Sequence, residues 1–310
     1  MTKSQKHIEN SRVSRYNDAY TLDKEGTAMK IRITSDSTCD LNPDYLRAHN
    51  VEILPLYTMK GGETFRDGVD ITPQDIFDHV AAGGDLCSTA ANNVDDYMQL
   101  FTRLLQDCDA IIHIDISSDF SSCYQNACVA ASELREVYVV DSRNLSSGHG
   151  HVVCEAVKMA EEGELTPAEI VDKLNELTGR VEASFLLDRL DYMVKGGRCS
   201  MVVALGANLL HLKPCIEVID GKMKVVKKYR GSYEKCILNY VKDRLCGREG
   251  LVYERIFITH TPVADGIVDK VRAAIQEYAP FTEIVETQAG CTVSCHCGPG
   301  TLGILFIRSK

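Results

Sequence analysis

The chain has 310 residues, 45% of them hydrophobic and 25% charged, which is enough for about two domains, each with its own core. A net charge of −10 argues against general nucleic-acid binding, and no apolar stretch approaches the length needed to span a bilayer. Thirteen cysteines, an odd number with no N-terminal apolar leader, point to reduced thiols in a soluble cytoplasmic protein rather than a disulfide scaffold.

Residues 1–28 are polar, mixed in charge and without sustained periodicity, and are expected to form a mobile, dispensable extension. Met29 then opens MKIRITSDSTCDL, a strand (Ile31 to Thr34) running into an Asp/Ser/Thr turn. A short helix (Pro43 to His49) and a strand (Val51 to Met59) follow. Thr72-Pro73 opens a helix that Gly83-Gly84 ends, and Val94 to Gln106 is amphipathic. Ile111 to Leu134 reads as a buried strand, a serine-rich loop and a helix opening near Phe120 or Ser121. Such a junction gathers hydroxyls and free backbone N–H groups at a helix N-terminus, which suits an anion, although serines there more often only cap the helix. The strand Val137 to Val140 and helices near Val152 to Glu162 and Thr166 to Thr178 complete a domain at 29–178. Strands separated by helices of this length imply parallel pairing, an α/β layered fold.

After Gly179 the pattern changes. Strands at Val181 to Leu187, Ile216 to Ile219 and Met223 to Lys228 include a hairpin signal at Asp220-Gly221. Helices at Tyr233 to Leu245 and Ala264 to Tyr278 alternate with strands at Ile256 to Thr259, Glu283 to Thr287 and Leu302 to Ile307. A hairpin inside an alternating pattern predicts a mixed sheet, hence a second α/β domain at 179–310. Between Arg189 and Arg248 thirteen Lys/Arg face five Asp/Glu, a basic region in an acidic chain. Its exposed lysines serve as edge protection or as a phosphate- or partner-facing patch. Within it Gly196-Gly197 allow close backbone approach before Arg198, whose guanidinium suits phosphate.

Three signatures carry less. Gly298-Pro299-Gly300-Thr301-Leu302-Gly303 matches G-x-G-x-x-G, but a strand follows it instead of a helix, so it is no dinucleotide fingerprint. Cys291, Cys295, His296 and Cys297 lack the paired spacing of a zinc site. Ser121 and His296 can be cast as part of a hydrolase triad, yet no G-x-S-x-G elbow exists.

An ordered series of short motifs resembles the DegV family of fatty-acid-binding proteins. Ser35-Asp36-Ser37-Thr38-Cys39-Asp40-Leu41 is similar to its initial turn, and Ser88-Thr89-Ala90-Ala91-Asn92 lies where the family has T-S-Q-P-S. Phe120-Ser121-Ser122-Cys123-Tyr124-Gln125-Asn126-Ala127 resembles L-S-G-T-Y-Q-S-A, and Val140-Asp141-Ser142 and Gly196-Gly197-Arg198 match in order. Leu212-Lys213-Pro214, Tyr229-Arg230-Gly231 and His296-Cys297-Gly298-Pro299-Gly300 complete the series, from about Met29 to Lys310.

The resemblance implies an N-terminal three-layer α/β/α domain with a mainly parallel sheet and a C-terminal two-layer α/β domain with a mixed sheet. It further implies a long-chain fatty acid in an interdomain pocket, with no cofactor, no metal and no catalytic residue. The protein would present the acyl carboxylate to a separate fatty acid kinase subunit, which makes the acyl phosphate. Carried over by position, Ser121, a hydroxyl of Ser88 or Thr89, and His296 would meet the head group, the last as an imidazolium. Arg198 and Arg230 would stand on the phosphate- or partner-facing side. Apolar segments Met201 to Leu212 and Phe185 to Leu187 are candidates to line the tail. A C16 tail at about 0.8 kcal/mol per CH2 offers on the order of 10 kcal/mol before ordering costs. Ala91, Asn92, Ser122, Cys123 and Cys297 depart from the family pattern beside this site. A serine-hydrolase-type enzyme and a thiol-rich metal or redox protein are the alternatives.

Overall fold

The computed structural model describes residues 19–22, 28–201 and 212–310. In its first half, β1 (Ala19–Leu22) and β2 (Ala28–Asp36) lead through a tight turn at Ser37–Cys39 to α1 (Pro43–Ala48). Next come β3 (Glu52–Leu54), β4 (Tyr57–Lys60), β5 (Glu63–Arg66), α2 (Pro73–Ala81), β6 (Ser88–Ala90) and α3 (Val94–Leu104). They are followed by β7 (Ala110–Asp115), α4 (Cys123–Ser132), β8 (Val137–Asp141), α5 (Ser146–Glu162) and α6 (Pro167–Thr178). The second half runs β9 (Val181–Leu186), α7 (Asp191–Gly196), β10 (Leu212–Ile219), β11 (Lys222–Arg230), α8 (Tyr233–Leu245) and β12 (Leu251–His260). It ends with α9 (Ile267–Tyr278), β13 (Glu283–Gln288), α10 (Cys291–Cys297) and β14 (Leu302–Arg308).

Helix starts follow local chemistry. Thr72, Asn93 and Thr166 each close a capping box with the acid three residues on, and proline occupies the first turn after both threonines. Among the described residues no helix is long and apolar enough to cross a membrane.

Two sheets organise the chain. In the first, β2 pairs in parallel with β7 and β3, and β7 with β8, while β1 lies antiparallel on β2. The 1–28 extension, expected to be mobile throughout, thus contains a strand of the sheet at Ala19–Leu22, paired through its backbone with β2. Every residue of β7 is buried, as a strand covered on both faces requires. Its His113 meets the edges of Tyr97 and Phe101 on α3, and α5 and α6 also pack on it, giving the three-layer arrangement.

The second sheet has the order β11-β10-β9-β14-β12-β13 and is antiparallel except for β12 with β13. The hairpin between β10 and β11 turns at Asp220 and Gly221, both with positive φ (54° and 80°), as the Asp-Gly pair predicts. α8 and α9 cover one face through Tyr240, Ile237, Val271 and Ile275. The other face, with Ala183, Phe257 and Leu305, joins the core of the first sheet. α5 is the shared layer, touching both sheets and buried throughout Ser146 to Cys154.

A third, small sheet, β5-β4-β6, was not foreseen as such. With α2 it packs through Ile71, Ile76, Phe77 and Cys87 onto Tyr192, Cys291 and Cys295 of α7 and α10. A segment from the first half of the chain is thereby docked on helices of the second.

Candidate functional site

Where these parts meet lies a cleft with about 550 Å³ of empty space. Its apolar wall includes Leu56, Ile116, Phe120, Leu145, Met223 and Val293. Polar side chains converge on it: Thr89 from β6, Ser121 from the loop after β7, Arg198 from beyond α7, and His296 and Thr292 from α10, the last missed by the sequence reading and with its Oγ1 buried without a partner. The structure does not bring Ser88 or Arg230 to this cleft. Ser88 is exposed opposite Met59, and Arg230 is exposed at the end of β11.

Ser121 does two jobs. Its Oγ accepts the Cys123 N–H (3.3 Å), the first amide of α4, whose N-cap Ser122 makes no side-chain cap, and donates to Cys123 Sγ (3.0 Å). The helix therefore opens at Cys123, slightly later than its apolar spacing suggested, and Ser121 lines the cleft.

α10 is short and is held from outside. Asp67 accepts the N–H groups of Cys291 (2.8 Å) and Thr292 (3.0 Å), and Asp40 accepts that of Gly290 (2.8 Å). Two acidic side chains from the first half of the chain thus satisfy the helix start that carries His296, Asp40 as a mainly neutral acid at pH 7 because burial pushes its pKa up to about 8.

His296 Nε2 lies 2.9 Å from Thr89 Oγ1, while Nδ1 is buried without a partner. Burial first, and then the nearby Arg198 charge, pull its pKa down to about 4. The expected imidazolium is therefore corrected to a neutral imidazole at pH 7, because desolvation opposes the charge. A buried orphan N–H is rarer than an under-satisfied acceptor, which assigns the proton to Nε2. Nε2–H then donates to Thr89 Oγ1 and leaves the Thr89 hydroxyl free to donate into the cleft. Arg198, exposed at the mouth with Nη1 on Gly196 O (2.7 Å), is the formal cation of the site.

Leu145, Val293 and Cys297 also line a second, narrow pocket together with Phe185, Ala289 and Leu305. Phe185, named from sequence as a tail contact, stands here, whereas residues 202–211 of the other candidate segment lie outside the described residues. The cysteines of α10 diverge. Cys291 and Cys295 pack with Cys87 and Phe77, Cys297 packs with Phe185 and Leu187, and His296 faces the cleft. They do not converge on one metal. Nor is a relay triad built, since no carboxylate meets His296 Nδ1 among the described residues.

The family described as "Uncharacterised protein, DegV family" matches residues 30–309. A DegV domain-containing protein of Caldanaerobacter subterraneus subsp. tengcongensis is 30% identical over 283 residues, 89% of this chain and 98% of that protein. A Thermus thermophilus structure, described as fatty acid binding of a DegV family protein, has a TM-score of 0.82 at 28% identity. It covers 90% of this chain and 100% of its own. A DegV lipid binding protein from Thermotoga maritima gives 0.78 at 25% identity, covering 91% and 100%. With its motifs in order and its fold in agreement over nearly the whole length, this chain belongs to the DegV family.

Proposed function

We propose that this protein is a non-catalytic carrier that holds a long-chain fatty acid and offers its carboxylate, in the cytoplasm, to a separate kinase that forms the acyl phosphate. The observation that carries this reading is an apolar cleft with Thr89, Ser121 and His296 gathered at one wall and Arg198 at its mouth. The Thr89 hydroxyl donates to the head group, joined by that of Ser121 when it turns from Cys123 Sγ to the cleft, and neutral His296 positions Thr89 instead of pairing with the charge. The Arg198 guanidinium supplies the counter-charge, in the charge-assisted geometry that suits a carboxylate or phosphate. The tail follows the apolar wall toward Phe185 and Leu305. Arg230 and the lysines of β11 then face the kinase, with no direct part in holding the head group.

Mass spectrometry of an organic extract from freshly purified protein tests the reading. A near-stoichiometric fatty acid that falls in Ser121→Ala is expected. An empty extract from folded protein would overturn it.

A further inference from the structure

Beneath the head-group wall lies a polar cluster that acyl binding does not use. Asp36 ends β2, Asp115 ends the adjacent parallel strand β7, and Cys123 opens α4. All three are fully buried, and one carboxylate oxygen from each aspartate and the Cys123 Sγ lie within 4.8 Å of one another. Among the described residues this is the one His/Cys/Asp/Glu group so arranged.

The surrounding residues hold the two carboxylates in place. Asp36 accepts the N–H groups of Thr38 and Ile116, both at 2.7 Å. Asp115 Oδ1 accepts the Tyr97 hydroxyl (3.0 Å) and lies 3.2 Å from His113 Nε2. Carboxylates oriented by an outer ring of hydroxyl and imidazole groups are the usual support of metal ligands. Asp115 Oδ2, by contrast, has no hydrogen-bond partner although its residue is fully buried. An orphaned carboxylate oxygen so close to a second buried acid is costly unless a positive species completes the group. His149, with Nδ1 3.9 Å from Asp36 Oδ1, is instead engaged by Ser35, Thr38 and the Ile114 carbonyl.

We propose that Asp36, Asp115 and Cys123 form a binding site for a divalent transition metal of the zinc class. The donor set decides the class. Two hard oxygens and one soft sulfur suit borderline Zn²⁺, whereas Ca²⁺ and Mg²⁺ take oxygen alone. Three protein ligands plus one solvent oxygen complete a tetrahedral shell, and the donors need to draw together by up to about 1.5 Å to reach its spacing. On binding, the Cys123 thiol gives its proton to solvent, and the thiolate remains the acceptor of the Ser121 hydroxyl. The metal is thus one hydrogen bond away from the head-group wall.

The test uses the full chain, expressed with zinc, desalted, and assayed for bound metal alongside Asp115→Asn and Cys123→Ser. About one zinc per wild-type chain is expected, falling about tenfold or more in each variant. Metal-free wild type titrated with Co²⁺ should develop a thiolate-to-cobalt charge-transfer band, a readout that needs no variant to fold. Folded wild type with neither zinc nor the band would overturn the proposal. Zinc retained in both variants would also overturn it, by placing the metal elsewhere.

Discussion

Replacing Gly196 with alanine asks whether the His296 ring must lie where it does. A Cβ at this position would stand 2.2 Å from His296 Nδ1 and 3.1 Å and 3.2 Å from its Cε1 and Cγ. Gly196 does not have a positive φ, so the conflict is one of contact alone. Either α7 backs away from α10, or the imidazole turns and gives up Thr89. Overpacking of the first kind costs about 1–3 kcal/mol. A turned ring forfeits a hydrogen bond worth about 1 kcal/mol and releases the Thr89 hydroxyl from its orientation. We therefore expect Gly196→Ala to lower stability by roughly 2 kcal/mol in urea unfolding. Fatty-acid affinity should fall about tenfold, the equivalent of about 1.4 kcal/mol. The affinity assay is titration of delipidated protein with a fluorescent fatty acid. Gly197→Ala is the control. Gly197 has φ +66° and nothing within 4 Å of an added Cβ, so it costs about 1 kcal/mol of backbone strain and leaves affinity alone. In a Thr89→Val background the affinity loss from Gly196→Ala should largely disappear, because the two changes break one coupled unit. Unchanged affinity in Gly196→Ala, or an equal loss in Gly197→Ala, would refute the reasoning.

Two further variants probe the same wall. His296 titrates near 4 when folded and near 6.5 when free, so between these values the unfolded chain binds a proton that the folded chain refuses. Its contribution is complete above pH 6.5 and is lost as pH falls toward 4, reaching at most about 2 kcal/mol at pH 5. His296→Gln should shrink the difference between urea midpoints at pH 7 and pH 5, and an undiminished difference would remove His296 as its source. Asp67→Asn keeps one acceptor but sets an amide N–H₂ against the start of α10, where Cys291 and Thr292 now donate. A loss of about 1–3 kcal/mol is expected in the same unfolding assay, together with weaker lipid retention. Stability equal to wild type would mean that α10 does not depend on this carboxylate.

Local chemistry made much of this structure legible. The hairpin at Asp220-Gly221, the helix starts at Thr72 and Thr166 and the amphipathic α3 rest on short-range signals, and each stands where the sequence placed it. The signal failed where partners are distant. The sequence reading starts α5 near Val152, whereas the helix begins at Ser146 and carries Ser146, Ser147, His149 and His151 in its first turns. The structure buries all four. Ser146 donates to Asp40, Ser147 pairs with Thr259, His149 meets Ser35 and Thr38, and His151 Nε2 meets Leu305 O. A polar residue paired this way costs little to bury, but no window of sequence contains the partner.

The candidate site divides along the same line. Thr89, Ser121, Arg198 and His296 could be named from ordered motifs, since those motifs are the turns and helix ends that reach the cleft. Their roles could not. Ser88 and Thr89 are neighbours, yet Thr89 lines the cleft with Ala90 and Ala91 while Ser88 is exposed. A histidine beside an arginine in an anion site reads as a second cation until burial is known. Burial and the Arg198 field then make the imidazole neutral, and the orphaned Nδ1 puts its proton on Nε2. In the carrier reading proposed above, the group offered to a head group is consequently the Thr89 hydroxyl. The charge and the directional hydrogen bonds of this site come from different residues, so Arg198→Gln should weaken binding in a salt-dependent way while Thr89→Val weakens it at every ionic strength. Identical salt dependence of wild type and Arg198→Gln would return the charge to His296.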